Sequence, residues 1–260
     1  MLVIAENLSV RNKAYMQAVK ANDRKAIESM AKDLADRGAD LINVQCSTDG
    51  SGDERTLPLV AEIVQKASGL PLCLDSRNLD ALKKAVALCN EPPIINYISA
   101  DEENTDGILG LVRDSKANLI IRALKSTVPT TYEAKLLILD ELIERVNAAD
   151  IPNERLFADP SLIHLSEGMG QENLLNSHEC IIALNELIDP PINTIVWLSN
   201  ISAGLKSPLK PHVNSALLSY LAGAGLDAVL LDVTQTETMK TVYMIRAFRD
   251  EVVFSPADLS

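Results

Sequence analysis

Positive charge is scarce in this chain. Lys and Arg total 24 against 36 Asp and Glu, for a formal net charge of −12. A phosphate-backbone binder needs a basic face to release counterions, so nucleic acid is not an expected partner. Cysteine is scarce as well. Cys46, Cys73, Cys89 and Cys180 show no CxxC spacing, and Cys73 sits in an apolar run that suits a reduced, buried thiol, which argues against a disulfide framework. No apolar stretch approaches membrane-spanning length, and the opening run Met1 to Ala5 reaches Glu6 too soon for a signal peptide. The expected setting is cytoplasmic, with no membrane contact.

Several chemical signatures are also missing. His164, His178 and His212 lack metal-ligand spacing, so no metal site is expected. Neither a nucleophile elbow nor a P-loop is present, which removes the common covalent and phosphoryl-transfer chemistries. Gly223 to Ala228 matches a GxGxxA string but precedes a strand instead of following one, and reads as a helix stop. No Ser/Pro/Gly-rich linker divides the chain, so residues 1–260 are expected to form one domain.

What is present is a regular alternation. Short β-branched or Leu-rich runs alternate with longer amphipathic segments at about thirty residues per unit, the length of a strand and its helix. The strands are expected at Leu2 to Ala5, Leu41 to Val44, Leu72 to Asp75, Ile94 to Asn96, Asn118 to Leu124, Leu156 to Asp159, Ile195 to Leu198 and Ala228 to Leu231. Helices are expected over Asp23 to Arg37, Thr56 to Ala67, Asn78 to Cys89, Asp101 to Asp114, Thr131 to Ala148, Glu172 to Leu187, Val213 to Ala222 and Glu237 to Phe248. Pro160 to Gly170 has no clear period and reads as a mobile loop. Eight units fit a (β/α)8 TIM barrel. A doubly wound open sheet alternates similarly, but polar residues ending both the first and last strands, Glu6 and Asp232, favour closure.

Seven of the apolar runs end in an acidic or amide side chain: Glu6, Asn43, Asp75, Asn96, Asp159, Asn200 and Asp232. In a barrel that pattern delivers a polar ring to one rim, where barrel enzymes place their active sites. Asp and Asn after strands are also ordinary helix N-caps, but capping alone would share the positions with Ser, Thr and Gly. Two carboxylates (Asp75, Asp159) and two amides (Asn96, Asn200) offer many acceptors and a few donors, a set suited to a flat, nitrogen-rich ring such as a pterin.

These residues also carry a resemblance. Leu72-Cys73-Leu74-Asp75-Ser76, Ile94-Ile95-Asn96, Phe157-Ala158-Asp159-Pro160 and Leu198-Ser199-Asn200-Ile201-Ser202, in that order and spacing, resemble the pterin-binding methyltransferases. The likeness is greatest to methyltetrahydrofolate:corrinoid/iron-sulfur protein methyltransferases, and runs from Val3 to Asp232. It implies a dihydropteroate synthase-like TIM barrel, usually a homodimer, that moves the N5 methyl group of methyltetrahydrofolate to or from the Co(I) corrinoid, or cobalamin, of a partner protein. By matching motif, Asp75, Asn96 and Asp159 would hold the pterin, with Asn43, Ser202 and Asp232 lining the substrate site, and Asn200 with Asp159 would be catalytic. The chain has no corrinoid-binding DxHxxG and no clustered cysteines, so the cobalt would come from the partner, for which the resemblance implies a corrinoid protein of the corrinoid/iron-sulfur kind. Lys206 and Lys210, in the loop after strand seven, read first as solvated surface lysines and second as contacts for that partner or the substrate's glutamate carboxylates.

The family pattern is not followed throughout. Ala5-Glu6-Asn7-Leu8-Ser9 stands where Gly-Glu-Arg-x-Asn is usual, Asn43-Val44-Gln45 replaces Asp-x-Asn, and Ser207 replaces an arginine before Pro208. These departures leave a noncatalytic folate-binding barrel as an alternative. A dihydropteroate synthase-like enzyme is a second, suggested by Gly38 to Ile42 with Ser47-Thr48, although the Ser-Arg-Lys segment of that enzyme's seventh strand is absent.

Overall fold

In the computed structural model, which describes residues 1–259, eight short strands close on themselves. They are β1 (Leu2–Leu8), β2 (Leu41–Gln45), β3 (Leu72–Asp75), β4 (Ile94–Ile98), β5 (Asn118–Arg122), β6 (Leu156–Asp159), β7 (Asn193–Trp197) and β8 (Ala228–Leu231). Every adjacent pair is parallel, and β1 pairs with both β2 and β8, setting Val3 against Val229. Parallel neighbours require a crossover at each step. The crossovers are helical: α1 (Lys13–Ala21) and α2 (Arg24–Asp36), α3 (Asp53–Ser68), α4 (Leu79–Val86), α5 (Thr105–Ser115), α6 (Tyr132–Asn147), α7 (Gly170–Leu187), and then one-turn α8 (Ser199–Ser202) with α9 (Lys210–Gly223). Helix α10 (Thr236–Phe248) follows β8. This is the expected (β/α)8 barrel.

Side chains alternate across each strand, and closure turns that alternation into two cores. Ile4, Leu41, Cys73, Ile94, Ile120, Phe157, Ile195, Ala228 and Leu230 form one buried cluster inside the barrel. Their neighbours in sequence, such as Val3, Ile42, Leu74, Ile95, Ile121 and Val229, belong to a larger cluster beneath the helices. Burial of one such aliphatic side chain contributes roughly 1.5–3 kcal/mol, so a one-residue register slip would forfeit both cores together.

Local signals set the helix starts. Asp23 accepts the Ala26 N–H at 3.1 Å, Asn78 accepts that of Ala81 at 2.9 Å, and Thr131 accepts that of Ala134 at 3.3 Å. Helix α1 escapes the period-based reading. It buries only Tyr15 and Ala18, too short a stripe to register, and Asn12 caps it by accepting the Tyr15 N–H. Strand β1 runs three residues past its expected end, and β5 stops at Arg122, two residues before its expected one.

The Pro160–Gly170 connection is a loop, as expected, with its first residues packed down. Pro160, Ser161 and Leu162 are buried, and the Ile163 N–H donates to Asn173 Oδ1 at 3.1 Å. At its far end the chain passes so close to itself that a Cβ on Gly170 would lie 2.1 Å from the His164 carbonyl oxygen. Gly170→Ala is therefore expected to destabilise the protein by about 1–3 kcal/mol. A thermal melt would show a lower Tm; an unchanged Tm would mean that the loop shifts at no cost.

Candidate active site at the barrel mouth

Two residues beyond each inward apolar side chain, the same strand presents the next inward one, and at this level the lining changes character. From β1 to β8 the sequence of groups is Glu6, Asn43, Asp75, Asn96, Arg122, Asp159, Trp197 and Asp232, the last just past its strand. The strand C-termini thus carry a polar ring above an apolar plug, as in barrel enzymes. Arg122 and Trp197 are additions that the sequence reading lacks. Asn200, an expected member, lies instead on α8, three residues after the inward position of β7.

The β2–β4 sector is a buried amide and carboxylate cluster. Register sets Gln45 beside Asp75 and Asp75 beside Asn96. Gln45 Nε2 donates to Asp75 Oδ2 at 3.0 Å, and Asn96 Nδ2 reaches both Asp75 Oδ2 at 3.3 Å and Asn43 Oδ1 at 3.2 Å. Burial pushes the Asp75 carboxyl up to about 7, against the Gln45 hydrogen bond and the Arg77 charge, which favour ionisation. The Asn43 side-chain nitrogen is buried with no acceptor in hydrogen-bonding geometry, although it lies near enough to Asp75 to favour the ionised carboxylate. A buried unpartnered donor costs about 1–3 kcal/mol.

The β5–β6 sector holds a cation. Arg122 Nε lies 3.3 Å from Asp159 Oδ2 and donates to Ser161 Oγ at 3.0 Å. Asp159 Oδ1 accepts the Ser161 N–H at 2.8 Å. Burial raises the Asp159 carboxyl above its ordinary range despite Arg122. The Arg122 guanidinium stands 4.9 Å from the Tyr97 ring centroid and also weighs on Asp75, so it links Asp159 to the amide cluster.

The third sector spans β1, β7 and β8. Glu6 Oε2 accepts from Trp197 Nε1 and from Ser199 Oγ. Burial pushes Glu6 up to about 7, with Ser199, Arg11 and Lys210 opposing and Asp232 assisting. Arg11, 5.2 Å from the Trp197 ring, donates through both terminal nitrogens to Asn200 Oδ1 at 3.4 and 3.5 Å. Glu6, Arg11 and Asp232 border two cavities. One, of about 460 Å³, also takes in Ser202, Ser207 and Lys210, and the other is about 350 Å³.

The expected site residues therefore fall into distinct groups. Asn43, Asp75 and Asn96 are joined directly, Asp159 is tied to them through Arg122, and Asn200 sits in the third sector with Arg11 as its partner. Among the described residues no hydrogen bond joins Asn200 to Asp75, Asn96 or Asp159. Ser202 is buried, and its hydroxyl donates to the Ser199 carbonyl at 3.4 Å. Asp232 is largely occupied by neighbours, accepting from Asn7, from the Thr234 N–H and hydroxyl and from Gln235 Nε2. Lys206 is exposed, whereas Lys210 opens α9 and lines the larger cavity.

Fold and mouth together define a (β/α)8 protein whose rim is built from buried amides, carboxylates and one paired guanidinium. The chain belongs to the pterin-binding enzyme family, whose model matches residues 10–232. It is 27% identical over 246 residues to the methylcorrinoid:tetrahydrofolate methyltransferase of Eubacterium limosum, covering 94% of this chain and 89% of that protein. It is 25% identical to the methionine synthase of Mycobacterium leprae, over 88% of this chain but only 20% of that much longer protein. In structure it is similar to the dihydropteroate synthase of Xanthomonas albilineans with 4-aminobenzoic acid, at a TM-score of 0.72 and 20% identity, covering 98% of this chain and 94% of the other. The dihydropteroate synthase of Thermus thermophilus superposes with a TM-score of 0.66 at 17% identity, over 96% and 94%. At such identities these structures share the fold.

Two carboxyls pushed up to about 7, Asp75 buried and Glu6 half-buried, give the fold a pH signature. A carboxyl whose pKa is higher in the folded than in the unfolded chain stabilises fully below its unfolded value, and that contribution is lost as pH rises through the folded one. Stability from Glu6 and Asp75 is therefore expected to fall as pH rises from about 4.5 to about 7. Asp49 and Glu62, held low by hydrogen bonds from Ser51 and Lys66, act in the opposite sense only below that window. Asp75→Asn should remove part of the slope, on the order of 2 kcal/mol across the window. Urea melts across the same pH range measure it, and an identical slope in the variant would refute the assignment.

Proposed function

We propose that this protein is a methyltransferase that moves the N5 methyl group between methyltetrahydrofolate and the cobalt of a corrinoid carried by a partner protein, the whole chain acting as one pterin-binding domain. Family membership and the relative in Eubacterium limosum support this reading. The observation that carries it is the Asn43–Asp75–Asn96 cluster, in which a buried carboxyl lacks a salt-bridge partner and a buried amide donor lacks an acceptor.

A pterin edge fits that arrangement. Its 2-amino group and ring N–H groups are donors for Asp75 and Asp159, and its carbonyl and ring nitrogens are acceptors for Asn96 and Asn43. Each hydrogen bond to an ionised partner contributes on the order of 1.5–3 kcal/mol. The departures at Asn43 and Gln45 keep hydrogen-bonding groups in place, because Gln45 itself holds Asp75.

The chemical difficulty lies at N5. The methyl leaves without its bonding pair, which stays on N5 and takes up a proton from solvent, so the electron density that develops there in the transition state must be stabilised. Asn200 suits this task. Arg11 donates to its amide oxygen, which leaves the amide nitrogen as the group free to donate toward a ligand. An N–H donor aimed at charge that develops in the transition state contributes about 10²–10³ in rate. The corrinoid, on its carrier, supplies the cobalt centre that exchanges the methyl. The name of the relative gives the direction from methylcorrinoid to tetrahydrofolate, and the same residues serve either direction.

Mixing the protein with methyltetrahydrofolate and reduced cobalamin should yield methylcobalamin, read by its absorption spectrum. Asn200→Ala is expected to slow transfer by about 10²–10³ while folate binding persists. No transfer in either direction with free or protein-bound corrinoid would overturn the reading, and a noncatalytic folate-binding barrel would then stand in its place.

The raised carboxyl makes a second prediction. N–H donors on the ligand favour the ionised form of Asp75, so binding releases a proton. Folate affinity should tighten as pH rises from about 5.5 toward 7.5, and Asp75→Asn should weaken that dependence. Calorimetry in buffers of different ionisation enthalpy reads the released proton directly.

A further inference from the structure

Behind Asp159 lies a set of buried groups that the proposed chemistry does not use. Ser161 has φ near +60°, the left-handed region, which costs a non-glycine residue about 1–3 kcal/mol. Each of its polar atoms is engaged. The N–H donates to Asp159 Oδ1, the hydroxyl oxygen accepts from Arg122 Nε, and the carbonyl accepts from Lys135 Nζ at 3.1 Å and Asn173 Nδ2 at 3.2 Å. Lys135 Nζ also donates to the Pro160 carbonyl at 2.6 Å.

Lys135 projects from the first turn of α6 and is 0% exposed. Desolvating an ammonium costs several kcal/mol, and the site could be filled by an aliphatic side chain at no such cost. Burial pushes Lys135 down to about 8, with Cys180 and Asp159 favouring its charge and Arg122 opposing it. Its direct partners are the two carbonyls that follow Asp159. The lysine is therefore placed to act on the backbone that sets the Asp159 carboxylate.

We propose that Lys135 is a positioning residue for pterin recognition: by holding the Pro160 and Ser161 carbonyls it fixes the strained turn that aims Asp159 and Arg122 at the ring. This rests on reading the mouth as a pterin site. Recognition groups must sit within about 0.5 Å of the productive geometry, and a turn in an unfavourable conformation keeps that precision only if its surroundings hold it.

Two variants separate the contributions of Lys135. Lys135→Met removes both donor and charge, and Lys135→Gln removes the charge but keeps a donor. Lys135→Met should weaken methyltetrahydrofolate binding about tenfold, with KM rising more than kcat falls, and Lys135→Gln should recover part of that loss. In the ligand-free protein, carboxyl ¹³C NMR should show the Asp159 titration midpoint moving upward in both variants, because the ammonium that lowers it is gone. The NMR arm keeps the two proposals distinguishable: a wild-type protein that binds no folate defeats the functional reading, while a displaced Ser161 amide proton resonance, which reports its bond to Asp159, still decides whether Lys135 holds the turn. Should Lys135→Met fail to fold, Lys135→Gln carries both measurements. A folded variant with wild-type affinity or an unmoved Ser161 amide resonance would overturn the inference.

Discussion

Closure of the sheet is the constraint on which everything else depends. Once β1 pairs with β8, every second side chain of every strand points into one narrow space, and that space can be filled in only one way. Apolar residues such as Ile4, Cys73 and Ile120 pack its centre, and the next inward position on each strand is left at the mouth. There the lining changes to Glu6, Asp75, Asn96, Arg122 and Asp159. Burial at that level raises the pKa of the carboxyls, so the apolar plug that stabilises the barrel also sets the electrostatics of its mouth. Stability and recognition share one geometric origin.

The mouth is not uniform. One half, from β2 to β6, is a dense network of amides, carboxylates and Arg122, the half to which the pterin edge is proposed to bind. The other half, from β7 through β8 to β1, is more open. It is bordered by two cavities and contains Asn200, oriented by Arg11, beside Glu6. A ligand gripped by the first half would present its reactive edge to the second, where a partner could approach.

Much of this is legible in the residues alone. The short apolar runs ending in an acidic or amide side chain locate the strands and the rim, because capping alone would share those positions with Ser, Thr and Gly. Arg122 escapes that reading because the run Leu119 to Leu124 is apolar on both sides of it, and only pairing with Asp159 shows that the strand stops there. Trp197 reads as core because its ring is apolar, yet its Nε1 holds Glu6. Lys135 falls within an amphipathic helix pattern in which lysines ordinarily face water, so its burial is a property of the tertiary structure alone. Arg11 lies in a connection with no periodicity, and its role depends on a contact 189 residues away.

A crystal grown with methyltetrahydrofolate tests the central claim most directly. The account predicts the pterin edge on Asp75, Asn96 and Asp159, with Arg122 alongside and N5 facing the Asn200 amide. A pterin bound elsewhere, with Asp75 and Asn96 still paired only to each other and to Gln45 and Asn43, would contradict it.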